Sequence, residues 1–138
     1  MNVILASQSP RRRELLGLFR IPFEVKVADI DESMDANAEA ADEVARVSRL
    51  KAMAVACDDD DIVIAADTIV VCDGKILGKP RDAADAHRML RALSGHTHQV
   101  MTGVTVARGQ NVISCTEITL IRSPRRRIPR RSLPSLRN

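Results

Sequence analysis

The stretch LASQSPRRRELL places three arginines where a helix is expected to begin. Ser9 and Pro10 are typical of a helix N-cap and a first helical position, so Arg11, Arg12 and Arg13 fall in the first turn. The helix dipole puts partial positive charge at that end, so each arginine is disfavoured by about 0.3–1 kcal/mol unless an anion is present. A polyphosphate would remove this conflict, because backbone N–H groups and guanidinium groups would bind the same oxygens. A solvated helix start is the alternative, which fits one arginine better than three.

Asp67 lies inside an apolar stretch, between IVIAA and TIVV. Burying a carboxylate there is costly unless it is paired, hydrogen-bonded or bound to a metal. Asp67 is therefore a candidate general base or ligand of a divalent cation. The alternative is an edge-strand or bulge residue whose side chain points to solvent.

Three other charged positions are weaker candidates. Gly78 and Pro80 flank Lys79, so the backbone at Lys79 is expected to be extended and close to a ligand, although GKP is also a common turn. The acidic pair Asp31-Glu32 and Lys51 on a predicted helix read by themselves as ordinary surface charges.

Periodicity predicts alternating strands and helices that would position these residues. The predicted elements are a strand at 3–6, a helix from Pro10 to about Arg20, a strand over PFEVKVADI, a helix over about 38–57, a hairpin turning at Asp73-Gly74, a helix capped by Asp82 and stopped by Gly95, and strands over HQVMTGVTVA and NVISCTEITLI. The first helix is expected to bury Leu15, Leu16, Leu18 and Phe19, and the run DDDD at 58–61 to form a solvated loop. The fold class is α/β, with a mixed, partly antiparallel central sheet flanked by helices.

Composition limits the possible functions. The 138 residues suit one domain, and two phenylalanines without tyrosine or tryptophan leave little for stacking on nucleic-acid bases. No apolar run is long enough to cross a membrane and no signal peptide is apparent, so we expect a cytoplasmic protein without membrane attachment. Cys57, Cys72 and Cys115 are expected to be reduced thiols.

The segment 122–138 differs from the rest of the chain. It carries seven arginines and no acidic residue, whereas residues 1–121 hold 14 basic and 18 acidic side chains. Its prolines oppose a continuous helix or central strand, so we predict disorder. A basic arm that binds nucleic acid nonspecifically is one interpretation, and a terminus without function is another.

Several segments, taken in order, resemble the Maf family of nucleoside triphosphate pyrophosphatases. They are LASQSPRRRELL, the pair DE at 31–32, Lys51, AADTIVV, GKPRDAADAHRML and LSGHTHQVMTGV. The resemblance covers residues 2 to about 119 and is strongest to the branch that acts on dTTP and UTP. It implies a Maf/ITPase-like fold, hydrolysis of the triphosphate to a monophosphate and pyrophosphate, and a divalent cation, Mg²⁺ or Mn²⁺.

The resemblance also implies roles for single residues. Asp67 matches the catalytic proton acceptor and is taken, with Glu32, as associated with the metal. Ser7, Arg11, Arg12, Lys51 and Lys79 match phosphate-contacting positions, and Arg11 and Thr68 match positions that select the base. A homodimer is possible by the same resemblance, and binding to nucleic acid is not expected.

The resemblance ends after TEIT, where family members continue through further helices and this chain has LIRSPRRRIPRR. We hypothesise a change of reading frame near Thr119 or Leu120, which makes 1–121 a partial catalytic domain and 122–138 a tail foreign to the family. Loss of the family's C-terminal part is expected to weaken or abolish turnover.

Overall fold

A computed structural model describes residues 1–78, 80–122 and 124. In chain order the elements are β1 (Val3–Leu5), α1 (Pro10–Gly17), β2 (Glu24–Val25), α2 (Ala40–Ala54), β3 (Ile62–Cys72), β4 (Lys75–Leu77), α3 (Ala83–Leu93), β5 (Thr97–Arg108) and β6 (Asn111–Arg122). Within this part of the chain, no helix has the length and apolar content needed to cross a bilayer.

The strands form a mixed sheet in the order β2-β1-β3-β5-β6, with β4 also paired to β3. β1 is parallel to β2 and to β3, whereas β3 and β4 are antiparallel. β5 and β6 are joined through only two residues, which permits only an antiparallel pair. The predicted fold class is therefore confirmed.

The chain divides into two compact units, and β3, β5 and β6 contribute residues to both. The first unit comprises Met1–Thr68 and Thr102–Glu117. Its apolar core is formed by small and branched side chains from β1, α2 and β3: Ile4, Ala6, Ala52, Val55, Val63 and Ala65. Every contact described below at the candidate site lies within this unit.

The second unit comprises Ile69–Met101 and the described residues from Ile118 onward. The hairpin turn and the two ends of α3 in this unit were correctly predicted. Asp73 and Gly74 both have positive φ, 52° and 75°, as a two-residue hairpin turn requires. The Asp82 carboxylate accepts a 2.7 Å hydrogen bond from the Asp85 N–H at the start of α3, and Gly95 follows the helix with φ 73°.

The predicted burial of the first helix was wrong. None of the residues of α1 is buried, and Leu15, Leu18 and Phe19 are exposed by 54%, 76% and 71%. Of the four apolar residues predicted to be buried, only Leu16 is half-buried. The short helix is attached through polar contacts of its N-terminal turn, so its leucines do not need to reach the core.

The extent of one strand and the burial of one acidic residue also differ from the prediction. Only Glu24–Val25 of PFEVKVADI form a strand, because β1 offers the segment just two paired positions. In the acidic run, Asp61 is buried rather than solvated, and its carboxylate accepts 3.0 Å hydrogen bonds from the N–H groups of Asn2 and Asp58. These bonds lower the pKa of Asp61 below its ordinary value, the one from Asp58 most.

Candidate active site

The N-terminal turn of α1 begins as the sequence predicts. Ser9 is the N-cap, and its hydroxyl accepts a 3.4 Å hydrogen bond from the Arg12 N–H. Pro10 has no N–H, and the Arg13 N–H is bonded to the Ser9 carbonyl at 3.2 Å. Within the described part of the chain, the Arg11 N–H is thus the first-turn donor left for an anion.

The Arg12 side chain folds back from the helix toward β1 and β3. Its Nη1 donates to the Ala66 carbonyl at 3.0 Å and to the Ser7 hydroxyl at 3.3 Å, while Nη2 donates to Thr68 Oγ1 at 2.9 Å. Ser7, which lies two residues after the end of β1, is 6% exposed. Its oxygen also accepts a 3.2 Å hydrogen bond from the Ser9 N–H. Arg12 therefore links the start of α1 to the middle of β3.

Lys51, near the end of α2, approaches the same part of β3 from another element. Its Nζ lies 2.7 Å from Glu32 Oε1 and 3.0 Å from Asp67 Oδ1, and it donates to the Ala66 carbonyl at 3.5 Å. The side chains of Lys51 and Asp67 are 17% and 16% exposed, whereas that of Glu32 is 58% exposed. The Asp67 carboxylate is thus paired, as its position in an apolar strand requires.

α2 is held in place by packing and by buried hydroxyl groups. Five of its residues are buried, namely Glu43, Val44, Val47, Ser48 and Ala52. Ser48 donates to the Ala45 carbonyl at 2.7 Å and shares a 2.7 Å hydrogen bond with Thr105 of β5. Thr116 of β6 donates to the Ala41 carbonyl at 2.9 Å. Lys51 is therefore presented by a helix that is hydrogen-bonded to the sheet at its start and in its middle and buries residues as far as Ala52.

Gly103 of β5 lets α2 approach closely. A Cβ atom at this position would overlap the carbonyl oxygen of Val44 and lie 2.6 Å from its carbonyl carbon. Thr102, the neighbouring residue, has its hydroxyl 3.1 Å from that of Thr68. The close approach of α2 to β5 thus occurs next to Thr102, which is hydrogen-bonded to the Arg12 partner Thr68.

The segment that carries Glu32 is tied to α2 by a second ion pair. Glu43 accepts hydrogen bonds from Arg46 Nε and Nη2 at 3.0 and 2.9 Å and from the Asp35 N–H at 2.8 Å. Arg46 also donates to the Ser33 carbonyl at 2.9 Å. The bond from Arg46 and, next, that from Asp35 lower the pKa of Glu43 below its ordinary value. Hydrogen bonding to Glu43 raises the pKa of Arg46 in turn.

Six of the eight residues predicted for the site come together in the first unit. Ser7, Arg12, Glu32, Lys51, Asp67 and Thr68 are linked by the hydrogen bonds and ion pairs given above. Arg11 is exposed, and within the described residues its side chain forms no hydrogen bond or ion pair with these six. Lys79 lies outside the described residues, so its predicted phosphate contact stays a prediction.

Two contributors to the site were missed from the sequence. The Ala66 carbonyl accepts from both cationic side chains, and Thr102 is hydrogen-bonded to Thr68. A backbone carbonyl leaves no trace in the residue type. Thr102 is found only when β3 and β5 are known to be neighbours, and sequence alone did not give the strand order.

The cluster has the groups needed to bind a phosphorylated ligand and a hard cation. Arg12 and Lys51 converge on one carbonyl oxygen next to the Asp67 carboxylate. Glu32 and Asp67 direct carboxylate oxygens at the same point, now held by Lys51, and such oxygens are ligands that Mg²⁺ and Mn²⁺ prefer. Among the described residues, no group of three or more histidine, cysteine or carboxylate side chains is placed to hold a metal. Any cation here would depend on further oxygens from its ligand.

Comparison with protein families matches residues 2–129 to the model of Maf-like proteins. The chain belongs to the Maf family. The resemblance found in the sequence is thereby confirmed.

Three curated relatives within the Maf family all carry the name dTTP/UTP pyrophosphatase. The protein of Anaeromyxobacter dehalogenans is 53% identical over 81% of this chain, that of Bacillus cytotoxicus 49% over 84%, and that of Thermosipho africanus 47% over 88%. The matched part is 56%, 61% and 62% of their respective lengths. The chain thus spans little more than half the length of the curated Maf relatives it matches.

Solved structures support the Maf/ITPase-like fold. A nucleoside-triphosphatase, dITP/XTP pyrophosphatase, from Mycobacterium abscessus superposes with a TM-score of 0.56 over 87% of this chain and 73% of its own. The Ham1 protein of Staphylococcus aureus gives 0.58 over 87% and 70%. Both are 14% identical to this Maf chain, so the likeness concerns the fold alone.

Proposed function

We propose that this chain is the catalytic part of a nucleoside triphosphate pyrophosphatase that converts dTTP and UTP to the monophosphate and pyrophosphate. The observation that carries the proposal is the convergence of Arg12 and Lys51 on the Ala66 carbonyl, immediately before Asp67. The names of relatives about half identical to the chain support the choice of substrate.

Charge neutralisation is the first requirement of this reaction. A triphosphate carries about four negative charges at neutral pH, and water attacks its α-phosphorus only when that charge is offset. Arg12 supplies a guanidinium group, the start of α1 supplies the Arg11 N–H, and Lys51 supplies an ammonium group. Lys79 and the Arg11 side chain are proposed to add phosphate contacts.

Asp67 is proposed to orient the attacking water and to accept its proton. The water oxygen forms a bond to the α-phosphorus while the bond from that phosphorus to the α,β-bridging oxygen breaks. Pyrophosphate leaves with the bridging oxygen, and the nucleoside monophosphate remains. Thr68, which is hydrogen-bonded to Arg12 and Thr102, is proposed to contact the base.

Glu32 and Asp67 are the residues proposed to hold a divalent cation, Mg²⁺ or Mn²⁺. When bound, such a cation neutralises charge on the phosphate oxygens and on the leaving pyrophosphate. A cytoplasmic location and a homodimer stay predictions.

Pyrophosphate release from a panel of nucleotides, with and without Mg²⁺, tests the proposal. We expect release from dTTP and UTP that is weak, because the chain spans only part of the length of its relatives. This release should require the cation and fall by at least about 100-fold in Asp67→Asn, the loss expected for a general base. Asp60→Asn, a change of the same kind on the exposed acidic loop, is the matched control and is expected to retain activity. Release that survives Asp67→Asn, or a purine triphosphate as the preferred substrate, would contradict the proposal.

A further inference from the structure

Lys51 occupies the position between the two carboxylates proposed as metal ligands. Its Nζ is 2.7 Å from Glu32 and 3.0 Å from Asp67, and the Ala66 carbonyl is its third acceptor at 3.5 Å. An ammonium group has three N–H donors, so these three acceptors match its full capacity. The ammonium group is a cation already bound at the point where the two carboxylates converge.

The energetics oppose a free divalent cation at this point. The side chains of Lys51 and Asp67 are mostly buried, so like charges brought together here are screened less than at the surface. Mg²⁺ is usually held by one or two carboxylates plus the phosphates of a substrate, rather than by a cage of protein ligands. Two carboxylates shared with an ammonium group therefore make a weak site for the ion alone.

A nucleotide changes this balance. Its phosphate oxygens are new acceptors for an ammonium group on a flexible four-carbon stem, and the same phosphates add ligands for the metal. We propose that Lys51 acts as a resident counter-ion that keeps free metal out of the Glu32–Asp67 pair and is drawn to the phosphates when a nucleotide binds. This inference rests on the proposed function, and it means that metal and nucleotide bind with positive coupling.

Binding of Mn²⁺ to the full chain, followed by the electron paramagnetic resonance signal of the free ion, tests this role. Without nucleotide, we expect Lys51→Met to bind Mn²⁺ at least about tenfold more tightly than the unmodified chain, within the usual range of coupling between sites. Glu32→Gln added to Lys51→Met should abolish that gain, which locates the ion at this pair. Lys26→Met, which removes a lysine whose ammonium group donates to the Ala56 carbonyl, is the control and should bind as the unmodified chain does.

The coupling is measured with the α,β-methylene analogue of UTP, after a protein-free titration has accounted for Mn²⁺ bound by the analogue itself. We expect the analogue to tighten Mn²⁺ binding to the unmodified chain by about tenfold or more, and by much less in Lys51→Met. An unmodified chain that binds Mn²⁺ equally well with and without the analogue would overturn the inference. So would a folded Lys51→Met chain whose affinity for Mn²⁺ alone is unchanged or weaker.

The two titrations distinguish a failure of this inference from a failure of the proposed function. If the unmodified chain binds no pyrimidine nucleotide, the proposed function is wrong, and so is the proposed movement of Lys51 from the carboxylates to the phosphates. If nucleotide binds while Lys51→Met leaves both Mn²⁺ affinities as they were, only the role of Lys51 is wrong. Should Lys51→Met fail to fold, as judged by circular dichroism, Lys51→Gln, which removes the charge but keeps N–H donors, takes its place in both titrations with the same expected results.

Discussion

α1 and α2 each deliver one cation to the same carbonyl oxygen, but the two helices are held in opposite ways. α2 buries five residues and is bonded to β5 and β6 through Ser48 and Thr116. α1 buries none, and Leu18 and Phe19, which follow it, are more than 70% exposed. Lys51 is positioned by its helix, whereas the helix of Arg12 is positioned largely by Arg12 itself.

The site is therefore preorganised on the α2 side but less so on the α1 side. Packing fixes α2 before any ligand arrives, because a buried face leaves a helix few alternative positions. α1 depends on one cap and on three hydrogen bonds of a single guanidinium group. Elements with few buried contacts open at low free energy, so α1 is expected to be the more mobile of the two helices.

The largest effect is expected at Gly103, which packs against α2, in contrast to Gly17 at the end of α1. Gly103→Ala drives a Cβ atom into the Val44 backbone, so we expect a loss of about 2–3 kcal/mol in the free energy of unfolding. At Gly17, the last residue of α1, a Cβ atom would meet nothing within 4 Å. Gly17→Ala should therefore be neutral or stabilise the helix by up to about 1 kcal/mol. Urea unfolding measures both, and equal losses would contradict the difference between the helices.

The next largest loss of stability is expected from the hydroxyl groups that join α2 to β5. Ser48 and Thr105 are both fully buried and share a 2.7 Å hydrogen bond. Ser48→Ala leaves Thr105 with one partner fewer in the core, which is expected to cost about 1–2 kcal/mol. Thr105 keeps a 2.7 Å hydrogen bond with Ser114 in that variant. Adding Thr105→Val removes the hydroxyl that has lost one partner, so the double variant should lose less than the sum of the two single losses. Strict additivity in urea unfolding would show that the two hydroxyls do not stabilise each other.

A smaller effect is expected from pH at the ion pair that ties the Glu32 segment to α2. The pKa of Glu43 is lowered in the folded chain, so its stabilising contribution is complete above the ordinary carboxyl range and is lost as pH falls through the folded value. Glu43→Gln should therefore be less stable than the unmodified chain at pH 7, and the gap should close under acid. Thermal unfolding at pH 7 and about pH 3 measures this gap. A gap that stays constant with pH would contradict the role of the charge.

Features of the site that depend on local residue type could be predicted from the sequence, whereas features that depend on packing between elements could not. The elements around the site, the cap at Ser9 and the pairing of Asp67 were predictable, because each depends on local residue type or on the cost of an unpaired buried charge. The exposure of the apolar side chains of α1 could not be predicted. The spacing of apolar residues shows which side of a helix is apolar, but not whether another element packs against that side. The placement of Thr102 beside Thr68 depends on strand order, which hydrophobic alternation does not encode.

The smallest effect is expected at the cap of α1. Ser9→Ala removes the acceptor of the Arg12 N–H, and because that bond is long, at 3.4 Å, and the helix is exposed, we expect the low end of the usual range, about 0.5 kcal/mol. The loss should be confined to α1, so hydrogen exchange at its amides should accelerate while exchange in α2 stays unchanged. Ser9→Asn, which keeps a capping oxygen, should restore slow exchange. Faster exchange in both helices would mean that α1 supports α2 and that the two are not held independently.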